Sequence, residues 1–248
     1  MKKNILKFFD NTFDNTLFLK DIKCIFCDDE LDHFSPYCAC ETCLKSLPFN
    51  RQKVCQRCGE PLYSLANYCM RCKNSADRGF DVARAPFLYD GKIKKAVWAM
   101  KYYGKKYLAE YLSRFLYDEY VLDNLQCDFV IPVPLTAKKL AQRGYNQSEL
   151  LCKCFLDAGL EVDTTTLIKN QNTKNQMELG YKDRQTNLAG AFAVTDKNKI
   201  KGKKILLVDD IMTTGATASE IARALKKAKA NSVSVLTLCH EMPPKSDK

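Results

Sequence analysis

The 248-residue sequence lacks the features that mark a membrane or exported protein. No apolar run approaches the roughly 18 residues that a membrane-spanning helix needs. The segment at residues 1–23 has no small-residue cleavage site and is interrupted by charged side chains, so we do not interpret it as a secretory signal. Its apolar spacing predicts an amphipathic helix packed on the protein's own core; docking on a membrane or a partner is the alternative. We expect a cytoplasmic protein.

Histidine is scarce, because His33 and His240 are the two histidines of the chain and neither lies in a motif. A cysteine nucleophile therefore has no evident histidine base. Cysteine, in contrast, is abundant: nine of the thirteen cysteines fall between Cys24 and Cys72. Thiols in a protein without an export signal should stay reduced, so metal binding explains this density better than disulfides do.

The cysteine-rich stretch at residues 24–78 is too poor in aliphatic residues to fold on core burial alone. It contains four C-x-x-C pairs: Cys24 and Cys27, Cys40 and Cys43, Cys55 and Cys58, Cys69 and Cys72. Two such pairs complete a tetrahedral Cys₄ zinc site, so we predict one or two structural zinc ions. Joining neighbouring pairs lets each site fold locally, whereas cross-bracing (first with third, second with fourth) is the alternative. Cys38 could replace Cys40, although the spacing favours Cys40.

Strand and helix signals alternate from about residue 80. This pattern predicts an α/β domain with a parallel sheet over residues 80–242, followed by a disordered tail at 243–248. The formal net charge is +10, and most of the excess lies after residue 80. A basic domain suits a phosphate-rich ligand, a nucleic acid, or both. Basic stretches at residues 92–106, which include aromatic side chains, and at 197–204 are candidate contacts for single-stranded DNA; solvated surface charge is the alternative.

The segment ILLVDDIMTTGATASEIARAL, residues 205–225, carries the most information. Its first four residues are apolar, which predicts a strand covered on both faces. The chain then turns into a helix that we place near Thr217, because Thr217 and Glu220 have capping-box spacing. A loop between a buried strand and a helix presents free N–H groups and the positive end of the helix dipole, so it can hold a phosphate.

Two adjacent carboxylates, Asp209 and Asp210, stand at the carboxyl end of this strand. They can accept hydrogen bonds from ribose hydroxyls or contact a hydrated Mg²⁺. Gly215 lets the backbone approach a ligand closely. Together these residues predict a site for a ribose 5-phosphate.

This segment resembles the signature of type I phosphoribosyltransferases that binds 5-phosphoribosyl-1-diphosphate (PRPP). Three further blocks, MKYYGKK, IPVPLTAKKLAQRGYNQSELL and NQMELGYKDRQTNLAGAF, are similar to blocks of the ComF (competence protein F) family, whose members also begin with cysteine pairs. The resemblance covers about residues 24–240. It implies a type I phosphoribosyltransferase fold with a small N-terminal zinc-binding module.

The resemblance also implies roles for individual residues. It assigns binding of the ribose to Asp209 and Asp210. The loop after the PVP strand fits the loop that binds diphosphate, and the polar segment at 169–184 fits the hood loop. Arg143 is our favoured cation for the diphosphate because Gly144 frees the backbone beside it, and with the two aspartates it makes the predicted catalytic set. The remaining predicted PRPP-binding residues are Thr213, Thr214, Gly215, Ala216, Thr217, Lys101, Pro134, Lys138 and Arg184.

Three functions are compatible with the sequence. The first is a Mg²⁺-dependent phosphoribosyltransferase acting on a nucleobase, an amine or a nucleic-acid component. The second is a sensor that binds PRPP or a nucleotide without turnover. The third follows only from the ComF resemblance: a role in natural transformation on the cytoplasmic side, with single-stranded DNA and the DNA-uptake machinery as candidate partners. The acceptor and any self-association are left open.

Overall fold

The computed structural model describes residues 22–31, 35–74, 77–170 and 190–242. The predicted N-terminal helix, His33, most of the hood segment with Arg184, and the C-terminal tail lie outside these residues. Among the helices that the structure describes, none combines the length and the apolar character needed to cross a bilayer.

The described chain forms a parallel sheet and a separate antiparallel pair. The strands are β1 (Val82–Arg84), β2 (Phe87–Leu88), β3 (Phe129–Pro132), β4 (Leu167–Lys169), β5 (Phe192–Val194), β6 (Lys204–Met212) and β7 (Ser232–His240). The sheet has the order β1-β7-β6-β3, β2 extends it by pairing with β7, and all its pairings are parallel. β4 and β5 pair antiparallel apart from it. The predicted α/β class with a parallel sheet is confirmed.

Helices flank the sheet. They are α1 (Glu41–Lys45), α2 (Met70–Asn74), α3 (Gly91–Tyr102), α4 (Leu108–Leu122), α5 (Ala137–Arg143), α6 (Gln147–Leu150), α7 (Lys153–Asp157), α8 (Lys197–Ile200) and α9 (Ala216–Lys227). Gly104, with a φ of 66°, lies in the turn between α3 and α4. β4 begins only at Leu167, because the Asp163 carboxylate accepts hydrogen bonds from the Thr165 and Thr166 amides and holds a turn before it.

The two faces of β6 carry two separate apolar layers. Ile205 and Leu207 pack on the side that includes Ile221 of α9, whereas Leu206 and Val208 pack on the side that includes α3 and α4. Successive side chains of a strand point to opposite faces. The two aspartates that follow are therefore directed to different faces of the sheet.

The cysteine-rich stretch is anchored at both faces of the sheet. Its second half belongs to the α9-side layer, where the Ala83 amide donates to the Arg57 carbonyl at 2.6 Å. Its first half packs against α4, where the Tyr37 ring stacks on Phe115 at 4.3 Å and the Tyr37 hydroxyl donates to Asp118 at 2.6 Å. The module is thereby held against the same sheet that carries the candidate site.

Candidate functional site

The loop between β6 and α9 lies at the carboxyl edge of the sheet. β6 extends to Met212 because Ile211 and Met212 still pair with β7. Gly215 caps α9 with a φ of 74°, in the left-handed region that favours glycine. The predicted capping box is wrong: α9 has no side-chain cap, and Glu220 instead accepts from the Gly190 amide at 2.9 Å.

Asp209 lines a cavity together with the loop residues 213–217 and Val133. The Ser148 hydroxyl donates to Asp209 Oδ1 at 2.8 Å. Burial, and then the neighbouring Asp210 carboxylate, raise the pKa of Asp209 to about 7. A carboxyl group with this pKa can change its protonation state near neutral pH.

Asp210 turns to the opposite face of β6 and is only 4% exposed. Its Oδ2 lies 2.8 Å from Lys101 Nζ of α3. Burial favours the neutral amine of Lys101, but the carboxylates of Asp210 and Asp209 outweigh this and raise the pKa of Lys101. The structure therefore separates two carboxylates that sequence reasoning treated as equivalent: one lines the loop cavity and the other is held in a buried ion pair.

A chain of hydrogen bonds connects Arg143 to Asp209. Arg143 Nη1 donates to Gln147 Oε1, Gln147 Nε2 donates to Ser148 Oγ at 3.4 Å, and Ser148 donates to Asp209. The Arg143 guanidinium also lies over the Tyr102 ring, 5.7 Å from its centroid. Residues of α3 and α6 therefore orient the Arg143 side chain. Gln147 and Ser148 are both buried.

Two lysines that the sequence did not single out lie close to this network. Partial burial and the charges of Arg143 and Lys101 lower the pKa of Lys139. Burial and the charge of Lys139 lower the pKa of Lys169, while Asp209 opposes the shift. The predicted Lys138 and its neighbour Lys139 are both exposed on α5. A one-residue step on a helix turns a side chain by about 100°, and two adjacent lysines give no sequence signal that would tell them apart.

The predicted diphosphate loop follows β3. The Val133 amide donates to the Val208 carbonyl at 2.9 Å, which keeps this loop beside β6. Pro134 comes next and is half-buried, and Thr136 caps α5 through the Lys139 amide. The loop therefore reaches the same edge of the sheet as Asp209.

Arg78 supports the β6–α9 loop from the linker after the cysteine module. Its Nη2 donates to the Thr214 carbonyl at 2.7 Å, and the side chain is buried. The positive φ of 74° at Gly215 favours glycine there, and a Cβ would also have to displace the end of the Arg78 side chain. A lone arginine in SADRGF carries no motif, which is why sequence reasoning missed it.

The eight paired cysteines form two clusters. Cys24, Cys27, Cys40 and Cys43 make one, and Cys55, Cys58, Cys69 and Cys72 make the other; within each, all sulfurs lie within 4.8 Å of one another. This is the sequential arrangement of the pairs.

The sulfur separations in these clusters fit zinc. The Cys27–Cys40 and Cys58–Cys69 sulfurs are 3.8 and 3.6 Å apart. A tetrahedron with Zn–S bonds of about 2.3 Å has edges of about 3.8 Å. Cys38 stays outside, with its thiol donating to the Lys23 carbonyl.

The chain is similar to a known protein domain and to several named bacterial proteins. The sequence profile of the phosphoribosyl transferase domain matches residues 128–248. Competence protein F of Haemophilus influenzae is 29% identical over 226 residues, 87% of this chain and 95% of that protein. DNA utilization protein YhgH of Shigella flexneri is 30% identical over 212 residues, 82% and 90%. Competence protein ComFC of Bacillus subtilis is 28% identical over 235 residues, 87% and 93%.

Solved structures are similar over part of the chain. An allosteric regulatory enzyme of purine biosynthesis aligns with a TM-score of 0.33 at 20% identity, over 50% of this chain and 24% of that one. A Leishmania tarentolae HGPRT-ase in complex with GMP aligns with a TM-score of 0.28 at 17% identity, over 60% and 67%. The matched domain profile and the parallel sheet with its flanking helices give the chain the type I phosphoribosyltransferase fold.

The buried pair of Lys101 and Asp210 generates a stability prediction. The Lys101→Met variant leaves a carboxylate that is 5% exposed without its cation, and we expect a loss of about 3–5 kcal/mol in the free energy of unfolding. The double variant Lys101→Met/Asp210→Asn should recover much of this loss, because no buried charge is left. Urea denaturation measures all three proteins.

A surface pair supplies the control. Lys153 and Asp157 are about half exposed, so Lys153→Met should cost less than about 1 kcal/mol. Equal costs for Lys101→Met and Lys153→Met would contradict the role given to the buried pair.

Proposed function

The chain belongs to the ComF (competence protein F) family, and we propose that it binds PRPP with Mg²⁺ at the β6–α9 loop and serves DNA uptake on the cytoplasmic side of the membrane. One observation supports PRPP binding most strongly. Asp209 lines the same cavity as the threonine-glycine loop, so a carboxylate and a phosphate-binding turn face one space.

Each part of PRPP has a candidate partner in this arrangement. The 5-phosphate would lie against the loop amides and hydroxyls of Thr213, Thr214 and Thr217, at the N-terminus of the twelve-residue helix α9. The ribose hydroxyls would donate to Asp209, which Ser148 holds in place. Mg²⁺ would neutralise charge on the diphosphate when it is bound.

The diphosphate would face the cations beside Asp209. Lys101 is paired with Asp210, so among the described residues we assign Arg143, Lys139 and Lys169 to the diphosphate. Phosphoribosyl transfer breaks the bond between C1 and the diphosphate through an oxocarbenium-like state, and it depends on positioning, cations and exclusion of water. Binding is common to a transferase and a sensor; release of diphosphate with a candidate acceptor separates the two.

A second surface supports contact with single-stranded DNA. Trp98 and Tyr102 of α3 are about half exposed, and their ring centroids are 5.1 Å apart. Tyr103 and Tyr107 are also exposed next to the lysines of residues 92–106. Aromatic rings among cations suit the stacking and backbone contacts of a single strand. The names of the relatives, competence protein F and DNA utilization protein, agree with a role in handling DNA.

The two cysteine clusters are proposed as structural Zn²⁺ sites. Four thiolates and one Zn²⁺ leave a net charge of −2, and Lys92 Nζ lies 3.0 Å from Cys43 Sγ, where it offsets part of this charge. Four protein ligands leave no open position on the metal, which favours a structural over a catalytic role.

PRPP with Mg²⁺ should stabilise the protein against heat. At a ligand concentration of about 100 times Kd the gain is about 2.7 kcal/mol, which corresponds to a rise in Tm of roughly 5–10 °C for a chain of this size. Asp209→Asn should remove the rise, because the ribose loses its acceptor. Asp157→Asn, at an exposed carboxylate of α7, is the control and should leave it unchanged. No rise in the unsubstituted protein would refute the assignment of the loop.

Single-strand binding should depend on the α3 rings and on salt. The Trp98→Ala/Tyr102→Ala variant should bind a labelled thymidine oligonucleotide about 5- to 150-fold more weakly, since one base stacked on this ring pair contributes roughly 1–3 kcal/mol. Fluorescence anisotropy at 50 and 200 mM salt measures affinity, which should fall at higher salt. Tyr63→Ala removes a ring that is 80% exposed outside this surface and serves as control. Equal losses in both variants, or no salt effect, would count against this surface.

Metal analysis tests the cysteine clusters. Native mass spectrometry should give two zinc ions per chain, and Cys24→Ser or Cys55→Ser should each lose one. Cys38→Ser should keep both, because its sulfur lies outside the cluster. One ion or none in the unsubstituted protein would contradict the proposal.

A further inference from the structure

A second cavity, distinct from the β6–α9 loop cavity, lies between the knuckle of the second cysteine cluster and α9. Its volume is about 510 Å³, and it shares no lining residue with the cavity of Asp209. Charged side chains dominate its wall: Arg57, Arg78, Arg223, Lys226, Asp77 and Asp81. Four cations against two carboxylates make this a basic cavity.

Both carboxylates already serve the fold. Asp81 accepts from the Val233 amide at 2.7 Å and pairs with Lys226 at 2.9 Å. Asp77 accepts from the Gly79 amide at 2.6 Å and closes the turn into β1. Lys226 is therefore balanced by Asp81, and Arg223 pairs with Glu220 at 3.0 Å; with Glu220 counted, four cations still outnumber three carboxylates around the cavity.

Arg78 is the member of this wall that most needs an anion. The residue is 9% exposed, and its Nε is buried without a hydrogen-bond partner among the described residues. Its contacts are the Thr214 carbonyl at 2.7 Å and the Phe80 ring at 5.5 Å, and no carboxylate in the described parts of the chain pairs with it. A buried guanidinium without an anionic partner is costly, and proteins keep such groups where a ligand supplies the charge.

We propose that this cavity is a second binding site, which takes a phosphate group. The planar guanidinium fork matches the geometry of phosphate oxygens, and Arg57, Arg78 and Arg223 present three such groups to one space. The volume lies within the range of small-molecule sites and admits a mononucleotide. The phosphate comes either from a free nucleotide or from single-stranded DNA. The site does not depend on whether PRPP binds at the β6–α9 loop.

Arg78 connects this cavity to the loop. An anion bound to the Arg78 guanidinium would contact the same group that donates a hydrogen bond to the Thr214 carbonyl, next to Gly215. Binding free energies at two coupled sites are reciprocal. A phosphate that shifts this contact changes the affinity of the loop for its own ligand, and the loop ligand then changes the affinity of the cavity by the same factor.

Isothermal titration calorimetry at constant ionic strength tests the site with three probes: inorganic phosphate, thymidine 5′-monophosphate and a thymidine 12-mer. The cavity variant Arg57→Gln/Arg223→Ala should bind at least one probe at least about tenfold more weakly, the loss expected when even one charge-assisted contact is removed. Arg78 is kept, because its substitution would also disturb the loop. Asp209→Asn should retain the cavity binding.

The matched control is Lys201→Gln/Lys227→Ala, which removes two exposed positive charges outside the cavity wall and should stay within about twofold of the unsubstituted protein. A loss of affinity confined to inorganic phosphate and thymidine 5′-monophosphate identifies a free ligand. A loss of affinity confined to the 12-mer identifies a DNA phosphate. Equal affinities of the cavity and control variants for all three probes would overturn the proposal. Arg223→Glu replaces the double variant if Arg57→Gln lowers the zinc content.

Discussion

The ion pair between Lys101 and Asp210 sets the chemistry at the carboxyl end of β6. Two adjacent carboxylates stand there, and the Lys101 ammonium lies 2.8 Å from the Asp210 carboxylate. Lys101 contacts Asp210, whereas burial and the neighbouring Asp210 carboxylate raise the pKa of Asp209 to about 7. Asp209 is left as the adjustable carboxyl group in the loop cavity.

The raised pKa of Asp209 makes the stability of the fold depend on pH. The pKa of Asp209 is higher in the folded than in the unfolded chain, where the ordinary value is 3.8. The free energy of unfolding therefore falls as pH rises from about 4 through about 7, because ionising Asp209 is less favourable in the folded chain than in the unfolded chain. A ligand that donates hydrogen bonds to Asp209 offsets this cost, which couples occupancy of the cavity to the stability of the sheet edge.

The sequence predicted much of this arrangement because its signals are local. The apolar run before Asp209, the glycine of the loop and the spacing of the cysteine pairs each fix a strand, a turn or a cluster within a few residues. The division between Asp209 and Asp210 could have followed from the two-residue period of a strand. The contributions of Lys139, Ser148 and Arg78 could not, because each depends on how distant segments pack and none belongs to a pattern along the chain.

Binding of PRPP at two pH values tests the central claim most directly. With Mg²⁺ saturating, calorimetry should give an affinity about tenfold higher at pH 8 than at pH 6, since Asp209 with a pKa of about 7 is then mostly ionised and ready to accept the ribose hydroxyls. Asp209→Asn should bind more weakly and show only the smaller pH dependence of PRPP itself. Equal affinity at both pH values, with the Asp209→Asn protein binding as well as the unsubstituted one, would contradict the account.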